Sequence, residues 1–312
     1  MEETLWTEKY RPKTIDDCIL TKELKASFKE IVKTGKLPNM ILAGSAGTGK
    51  TTVAKALCSE MNLDWLFING SEESGIDVLR NKIKQFASTV SLTGGPKVVI
   101  IDEAEYLGVH STQPALRGFM EEFSANCRFI LTCNFKNRII EPLHSRCSVI
   151  DFNSSKKTLA SLASKFLLRL KSILDKEGVK YSDNILVELI MKHAPDWRRV
   201  IGECQRHSLS GEIASNILGN SGNEEYETLR ESLKSKDFKT MREWVATSGG
   251  NSDSTFVFRK IYDSLYTWAA PSSIPSAVLI LADYQYKAAF VADKEINLVA
   301  CCTELMANIE WK

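Results

Sequence analysis

The chain has 312 residues, 44% of them hydrophobic and 25% charged, an ordinary globular balance with room for about two domains. Its formal net charge of +1 excludes nucleic-acid binding driven by overall charge, so any DNA contact has to come from local clusters. Eight cysteines without one C-x-x-C pair argue against a zinc site, and no apolar run is long enough to span a membrane.

The first residues, Met1-Glu2-Glu3, are acidic where an export signal is basic. With the scattered thiols, this gives the expectation of a reducing, cytoplasmic setting. From residue 40 to about residue 150, short apolar runs alternate with amphipathic stretches. The runs are Met40-Ile41-Leu42-Ala43, Trp65-Leu66-Phe67-Ile68, Val98-Val99-Ile100-Ile101, Phe129-Ile130-Leu131-Thr132 and Val149-Ile150. Each is bounded by polar or turn residues and reads as a fully buried strand. The pattern predicts an open α/β fold with a parallel sheet, whose ligands sit beyond the carboxyl ends of the strands.

Beyond Ser154 the strand signal disappears. Leu159, Leu162, Phe166, Leu170 and Ile173 recur at helical spacing behind Ser155, a candidate N-cap. A second helix is predicted from Ser182, burying Ile185, Leu186 and Leu189 and ending before Pro195, and a third begins near Asp196. Residues 216–223, rich in Gly, Asn and Ser, mark a boundary. Further helices follow, with Leu229, Leu233, Phe238, Trp244, Phe256, Ile261, Leu265 and Trp268 as core. The reading divides the chain into an α/β nucleotide-binding domain over residues 1–152, a small helical domain over 153–222 and an all-helical domain over 223–312.

Gly44-Ser45-Ala46-Gly47-Thr48-Gly49-Lys50-Thr51 matches G-x-x-x-x-G-K-S/T, directly after a strand and before a helix predicted over residues 52–61. That context makes it a P-loop. Its glycines allow the tight turn, and successive backbone N–H groups, with Thr52 in the first helical turn, converge on phosphates of ATP. Lys50 is expected at the β- and γ-phosphates and the Thr51 hydroxyl on Mg²⁺. Asp102 and Glu103 close the run at 98–101. A carboxylate at the tip of a buried strand beside a P-loop suits the metal, so Asp102 takes that role and Glu103 that of general base. Phosphoryl transfer also needs a cation on the developing charge, for which Arg146, Arg198 and Arg199 are all candidates.

Three further strings carry a family resemblance. Leu5-Trp6-Thr7-Glu8-Lys9-Tyr10-Arg11-Pro12 resembles the N-terminal box of clamp-loader ATPases. His144-Ser145-Arg146-Cys147 resembles the S-R-C motif of that family, and Ile83-Lys84-Gln85-Phe86-Ala87-Ser88-Thr89 a stretch of replication factor C subunits. With both phosphate motifs these cover the first half of the chain in the expected order. The wording is most similar to the large ATPase subunit of T4-type bacteriophage clamp loaders. The resemblance implies an AAA+ domain, a helical lid and a helical collar that holds subunits in a ring. It implies that Arg146 is an arginine finger for a neighbouring subunit, Asn134 a sensor of the γ-phosphate or water, Arg198 the lid sensor, and Tyr10, Arg11 and Pro12 part of the adenine wall. Two departures stand out: the acidic box ends in Glu105 where the family usually has Asp, and Pro195 replaces the glycine before Asp196.

The resemblance further implies a sliding clamp and primer–template DNA as partners, with the DNA held through its phosphates. Ser74, Gly75 and Arg80, then Thr112 and Arg117, then Lys136, Asn137 and Arg138 fit the DNA contacts, Ser74 as an N-cap and Pro114 as a first helical residue. Phe86, Val90 and Leu92 fit a hydrophobic anchor for the clamp. Copies of itself and a smaller subunit would complete a ring-like, pentameric complex that serves the replicative polymerase indirectly. The alternative is another AAA+ DNA motor, such as a branch-migration helicase or an initiator loader.

Overall fold

Period-two packing of apolar strands on both of their faces builds the centre of the molecule. The computed structural model describes residues 5–73, 75–91, 94–208, 211–213, 222–249, 254–288 and 290–312. The chain divides into two compact units, Met1–Ile217 and Leu218–Lys312. In chain order the first holds α1 (Trp6–Lys9), α2 (Lys22–Thr34), β1 (Met40–Ala43), α3 (Lys50–Glu60), β2 (Trp65–Asn69), α4 (Ile76–Ala87), β3 (Lys97–Asp102), α5 (Thr112–Glu122), β4 (Cys127–Cys133), α6 (Glu141–His144), β5 (Ser148–Asp151), α7 (Lys156–Lys176), β6 (Lys180–Tyr181), α8 (Asp183–His193), α9 (Trp197–Ser208) and β7 (Glu212–Ile213).

The five expected strands form one parallel sheet in the order β2-β3-β4-β1-β5. On one face Ile41, Ile101, Phe129 and Leu131 pack with Leu79 and Ile83 of α4 and Leu116 of α5. On the other, Met40, Leu42, Ile100 and Ile130 pack with Val53 and Leu57 of α3 and Phe28 of α2. Burial of each such side chain contributes roughly 1.5–3 kcal/mol before entropy is counted. The outer strands depart from the expectation of full burial. Trp65 of β2 is 40% exposed and Val149 of β5 43%, because an edge strand is covered from one side only. Since all strands run the same way, β1, β3 and β4 deliver Gly44, Asp102 and Asn134 to one edge of the sheet.

The helices after the sheet begin as read. The Ser155 hydroxyl accepts the Thr158 N–H at 3.3 Å and caps α7. In α8 Leu186, Leu189 and Ile190 are buried while Ile185 is half-buried. Three expectations need correction. Helix α3 starts at Lys50, two residues earlier than read, because Gly49 at φ 96° acts as its N-cap. Pro114 is the third residue of α5, not the first; no intrahelical donor is needed in this first turn, so proline, which has no N–H, fits there as well. The strand signal does not end at residue 154 either, since β6 and β7 pair in parallel over two residues, too short a ladder for periodicity to reveal.

The second unit comprises α10 (Gly222–Ser235), α11 (Phe238–Trp244), α12 (Ser254–Trp268), α13 (Ile274–Lys287) and α14 (Lys294–Asn308). Leu229, Leu233, Trp244, Ile261, Leu265 and Trp268 are buried in its core as expected, with Cys301, Cys302 and Leu305 of α14. Phe238 is not part of that core; it opens α11 and is 48% exposed. The side chain of Phe256 and residues 214–221 lie outside the described set. Among the described residues no helix is long and apolar enough to cross a membrane.

Candidate active site

The loop between β1 and α3 wraps a lysine. Gly47 at φ 72° and Gly49 at φ 96° take the left-handed backbone that other residues adopt at a cost. A Cβ on Gly47 would also lie 1.9 Å from the Asp196 carboxylate, and the Gly47 carbonyl accepts the Trp197 N–H at 3.3 Å, so the loop and the start of α9 touch directly. Gly49 offers no side-chain cap, which leaves the first-turn N–H groups of α3 and the positive end of its dipole for an anion. Lys50 is 7% exposed, and its Nζ donates to the carbonyls of Gly44 (2.7 Å) and Ser45 (2.8 Å) and to Asn134 Oδ1 (2.9 Å). Burial pulls its pKa below the usual lysine range, opposed in part by the charges of Glu105 and Asp102.

The acidic end of β3 meets this loop. The Thr51 hydroxyl donates to Asp102 Oδ1 at 2.6 Å, and Thr132 of β4 donates to the same oxygen. Thr132 in turn accepts the Glu103 N–H at 3.2 Å. Glu103 sits at φ 54°, ψ 43°, a conformation that costs a non-glycine residue on the order of 1 kcal/mol and is retained where geometry matters more than stability. Gly70 makes room for it: a Cβ there would lie 2.8 Å from the Glu103 carbonyl. The hydroxyl of Thr51 and the carboxylate of Asp102 are hard oxygen donors already within bonding distance of each other, a pair that suits a small divalent cation such as Mg²⁺.

Beside the loop opens a cleft of about 830 Å³, counting its mouth. Tyr10, Arg11 and Pro12 form one wall, Gly47 to Thr52 the floor, and Arg198 and Ile201 of α9 the far side. Arg11 pairs with Glu8 and donates to the Thr52 hydroxyl at 3.3 Å. Glu177, just after α7, accepts from Lys9 (2.7 Å) and from the Tyr10 hydroxyl, and Arg169 of α7 donates to the Tyr10 carbonyl at 2.8 Å. Arg198 faces the cleft. The Arg199 N–H instead donates to Asp196 Oδ1 at 3.0 Å, and its side chain is not part of the wall. Gly44, Ser45 and Ala46 are also outside the wall, as are Asp102, Glu103 and Asn134; Gly44 and Ser45 act on the cleft through the carbonyls that hold Lys50, Asn134 through its bond to Lys50 and Asp102 through its bond to Thr51.

Residues 40–154 match the model of the ATPase family associated with various cellular activities (AAA). The chain is 36% identical to the sliding-clamp-loader large subunit of Enterobacteria phage T4 and equally to that of Escherichia phage RB69, each over 100% of this chain and 98% of the relative. It is 40% identical to the replication factor C small subunit of Archaeoglobus fulgidus, over 67% of this chain and 65% of that protein. The chain belongs to the sliding-clamp-loader family of AAA+ ATPases. A RuvB point mutant from Thermotoga maritima is similar in fold, with a TM-score of 0.54 over 82% of this chain and 79% of that one, but at 19% identity the likeness speaks to the fold alone.

As a clamp-loader ATPase the protein binds and hydrolyses ATP, and the remaining expected residues have definite surroundings. Arg146, just after α6, is not in the wall of its own cleft. Its Nε and Nη2 donate to Glu121 Oε1 of α5 at 2.9 and 2.6 Å, which holds the Glu121 carboxyl below the usual range. Gly75 caps α4, and Ser74 lies outside the described residues. Arg80 is an exposed partner of Asp77 at 3.6 Å, and Arg117 of Glu121 at 3.6 Å. Thr112, expected to meet DNA, is 2% exposed, so this structure does not present it to an outside contact. Lys136 lies 3.6 Å from Asp151, Asn137 is exposed, and Arg138 stacks over Phe135. Phe86 is half-buried against the sheet with the Lys97 ammonium 4.6 Å above its ring, Val90 is 89% exposed, and Leu92 lies outside the described residues.

Three structural residues escaped the sequence reading. Thr132 had no motif to flag it. Glu177 acts on Tyr10 across 167 positions. Gln113 is fully buried; its amide donates to the carbonyls of Leu107 and Arg138 and its oxygen accepts the Ile140 N–H, tying α5 to the turn that carries Lys136 and Arg138.

Proposed function

We propose that this chain is the ATPase subunit of a sliding-clamp loader: ATP binding opens the clamp and grips primer–template DNA, and hydrolysis releases the closed clamp on DNA. The observation that carries this reading is the split of the catalytic set. Lys50 bonds Asn134 and Thr51 bonds Asp102 at the carboxyl end of the central strands, while Arg146 is held at the surface by Glu121. A finger that cannot serve its own cleft serves a neighbour's, which makes a ring of subunits part of the chemistry.

In the mechanism, the first-turn N–H groups of α3 and the Lys50 ammonium take the β- and γ-phosphates. Thr51 and Asp102 would hold Mg²⁺, which supplies charge neutralisation on the phosphate oxygens when bound. Glu103 takes a proton from the attacking water as its oxygen bonds to the γ-phosphorus and the bond to the ADP oxygen breaks. Asn134 orients that water or the γ-phosphate, the Arg146 of an adjacent subunit meets the developing charge, and Arg198 reports the phosphates to the helical lid. The α/β domain over residues 1–152, the lid over 153–222 and the collar over 223–312 divide the labour between hydrolysis, sensing and ring assembly. The ring is pentameric, joins copies of this chain to a smaller subunit, works in the cytoplasm and serves the replicative polymerase indirectly.

Phosphates of the DNA meet the N-terminal turns of α4 and α5 and the side chains Arg80, Arg117, Lys136 and Arg138, all of them exposed and held only by weak surface pairs. The exposed Val90 beside Phe86 anchors the clamp. Arg117→Ala and Arg138→Ala are each expected to weaken DNA binding for all sequences alike. Each should lower the log–log salt slope by roughly one unit, read by fluorescence anisotropy across a salt series. A loss confined to particular sequences, or an unchanged slope, contradicts the phosphate role. The function itself is tested by ATP-dependent transfer of a labelled clamp onto primed circular DNA. Retention of the clamp on DNA only with this subunit and ATP supports it; DNA unwinding or branch movement without any clamp retention overturns it in favour of another DNA motor.

A further inference from the structure

The acidic box ends in a buried carboxylate that the mechanism above does not use. Glu105 is 5% exposed. One of its oxygens, Oε1, accepts the backbone N–H of Asn134 at 2.8 Å. The other, Oε2, is buried with no hydrogen-bond partner among the described residues. A buried carboxylate that meets a single protein donor adds little to the stability of a fold, because its desolvation offsets what that one hydrogen bond contributes. Such a group persists where it positions something. What it holds is the residue after β4, whose side-chain Oδ1 receives the Lys50 ammonium at 2.9 Å. The chain Glu105–Asn134–Lys50 therefore runs from the turn after β3, across the end of β4, to the floor of the ATP cleft.

We propose that Glu105 is a positioning residue for hydrolysis: by anchoring the Asn134 backbone it fixes where the Asn134 amide sits relative to Lys50 and the γ-phosphate. The anchor is the acceptor oxygen at the right reach, not the negative charge. Glutamate has one methylene more than the aspartate usual at this place, so reach is the property in which this chain differs. Glu105 itself stays behind Asn134 and touches no reacting atom. The inference rests on the reading of Asn134 as the sensor, and the experiment separates the two.

Three measurements on the full chain decide it, the first on the free subunit and the other two on the assembled complex. Hydrogen exchange at the Asn134 amide in the free subunit reads the anchor without nucleotide. E105A should speed that exchange by roughly ten-fold, the loss of one buried hydrogen bond, while E105Q, which keeps a carbonyl oxygen at the same reach, should retain protection. ATP turnover should fall by at least roughly ten-fold in E105A, as positioning partners typically cost, and recover most of that loss in E105Q, with the affinity for a fluorescent ATP analogue little changed in both. In an N134A background, E105A should change turnover by less than about two-fold, since the side chain it positions is gone. If E105A fails to fold, E105Q still decides: faster exchange at Asn134, or a loss of turnover as large as that of N134A, overturns the proposal. Equal losses in E105Q and E105A, additive effects of E105A and N134A, or unaltered Asn134 exchange each overturn the proposal alone. Normal turnover in N134A overturns the sensor reading, and the proposal with it.

Discussion

Arg146→Ala is expected to lower ATP turnover by on the order of 10³–10⁵, the usual contribution of an arginine supplied to a phosphoryl-transfer site. It should do so without weakening ATP binding to the subunit that carries it, because the Arg146 guanidinium is held by Glu121 of α5 and not by the phosphate loop. In this structure its guanidinium is held by Glu121, 2.6 Å away, a partner that a finger would exchange for phosphate when a neighbour docks. That pair is exposed and weak, so the exchange costs little. Mixing separates this role from a structural one. Rings assembled from Arg146→Ala and Lys50→Ala subunits contain some interfaces with an intact loop on one side and an intact finger on the other. Those interfaces should recover ATPase activity that neither variant shows alone. Free exchange of labelled subunits with no recovered activity in any mixture contradicts action in trans, and a normal rate in Arg146→Ala alone returns the residue to the role of a surface ion pair.

The second large effect is at Lys50. Lys50→Ala removes the buried cation that Gly44, Ser45 and Asn134 hold over the loop, so productive ATP binding should be lost and turnover should fall by at least on the order of 10². Glu103→Gln should differ in kind. It keeps the shape at the strained turn, loses the base, and is expected to bind ATP, clamp and DNA while hydrolysing about 10²–10⁴-fold more slowly. Equilibrium binding of a fluorescent ATP analogue beside single-turnover hydrolysis distinguishes the two. Normal turnover in Glu103→Gln removes Glu103 from the mechanism.

The central strands and the phosphate loop were legible because each has a local cause: continuous apolar runs, glycines at positive φ, a strand before and a helix after. Motif alone named Lys50, Thr51 and Asp102, and the bond between Thr51 and Asp102 followed from parallel strands ending at one end of the sheet. Contacts between distant segments were not legible. Nothing near Thr132 says that its hydroxyl serves Asp102, and nothing near Glu177 says that it holds Tyr10. The direct contact of Gly47 with Asp196 and Trp197 also has no local sign, although it separates Arg198 in the cleft wall from Arg199, whose N–H turns back to Asp196. Phe238 misled because hydrophobicity marks what can be buried, and the first residue of a short helix has only half its surroundings covered. The length of α3 was misread for the opposite reason: the glycine that shapes the loop is also the residue that starts the helix.

The most direct measurement is steady-state ATP hydrolysis by the assembled complex with clamp and primer–template DNA added separately and together. On the proposed reading the cleft, finger and DNA-facing helices come into register only when both partners are bound. The rate should therefore rise modestly with either partner and far more than the sum of the two with both, and Arg117→Ala should blunt the DNA-dependent part. A rate indifferent to the clamp, or stimulated fully by DNA alone, contradicts the account.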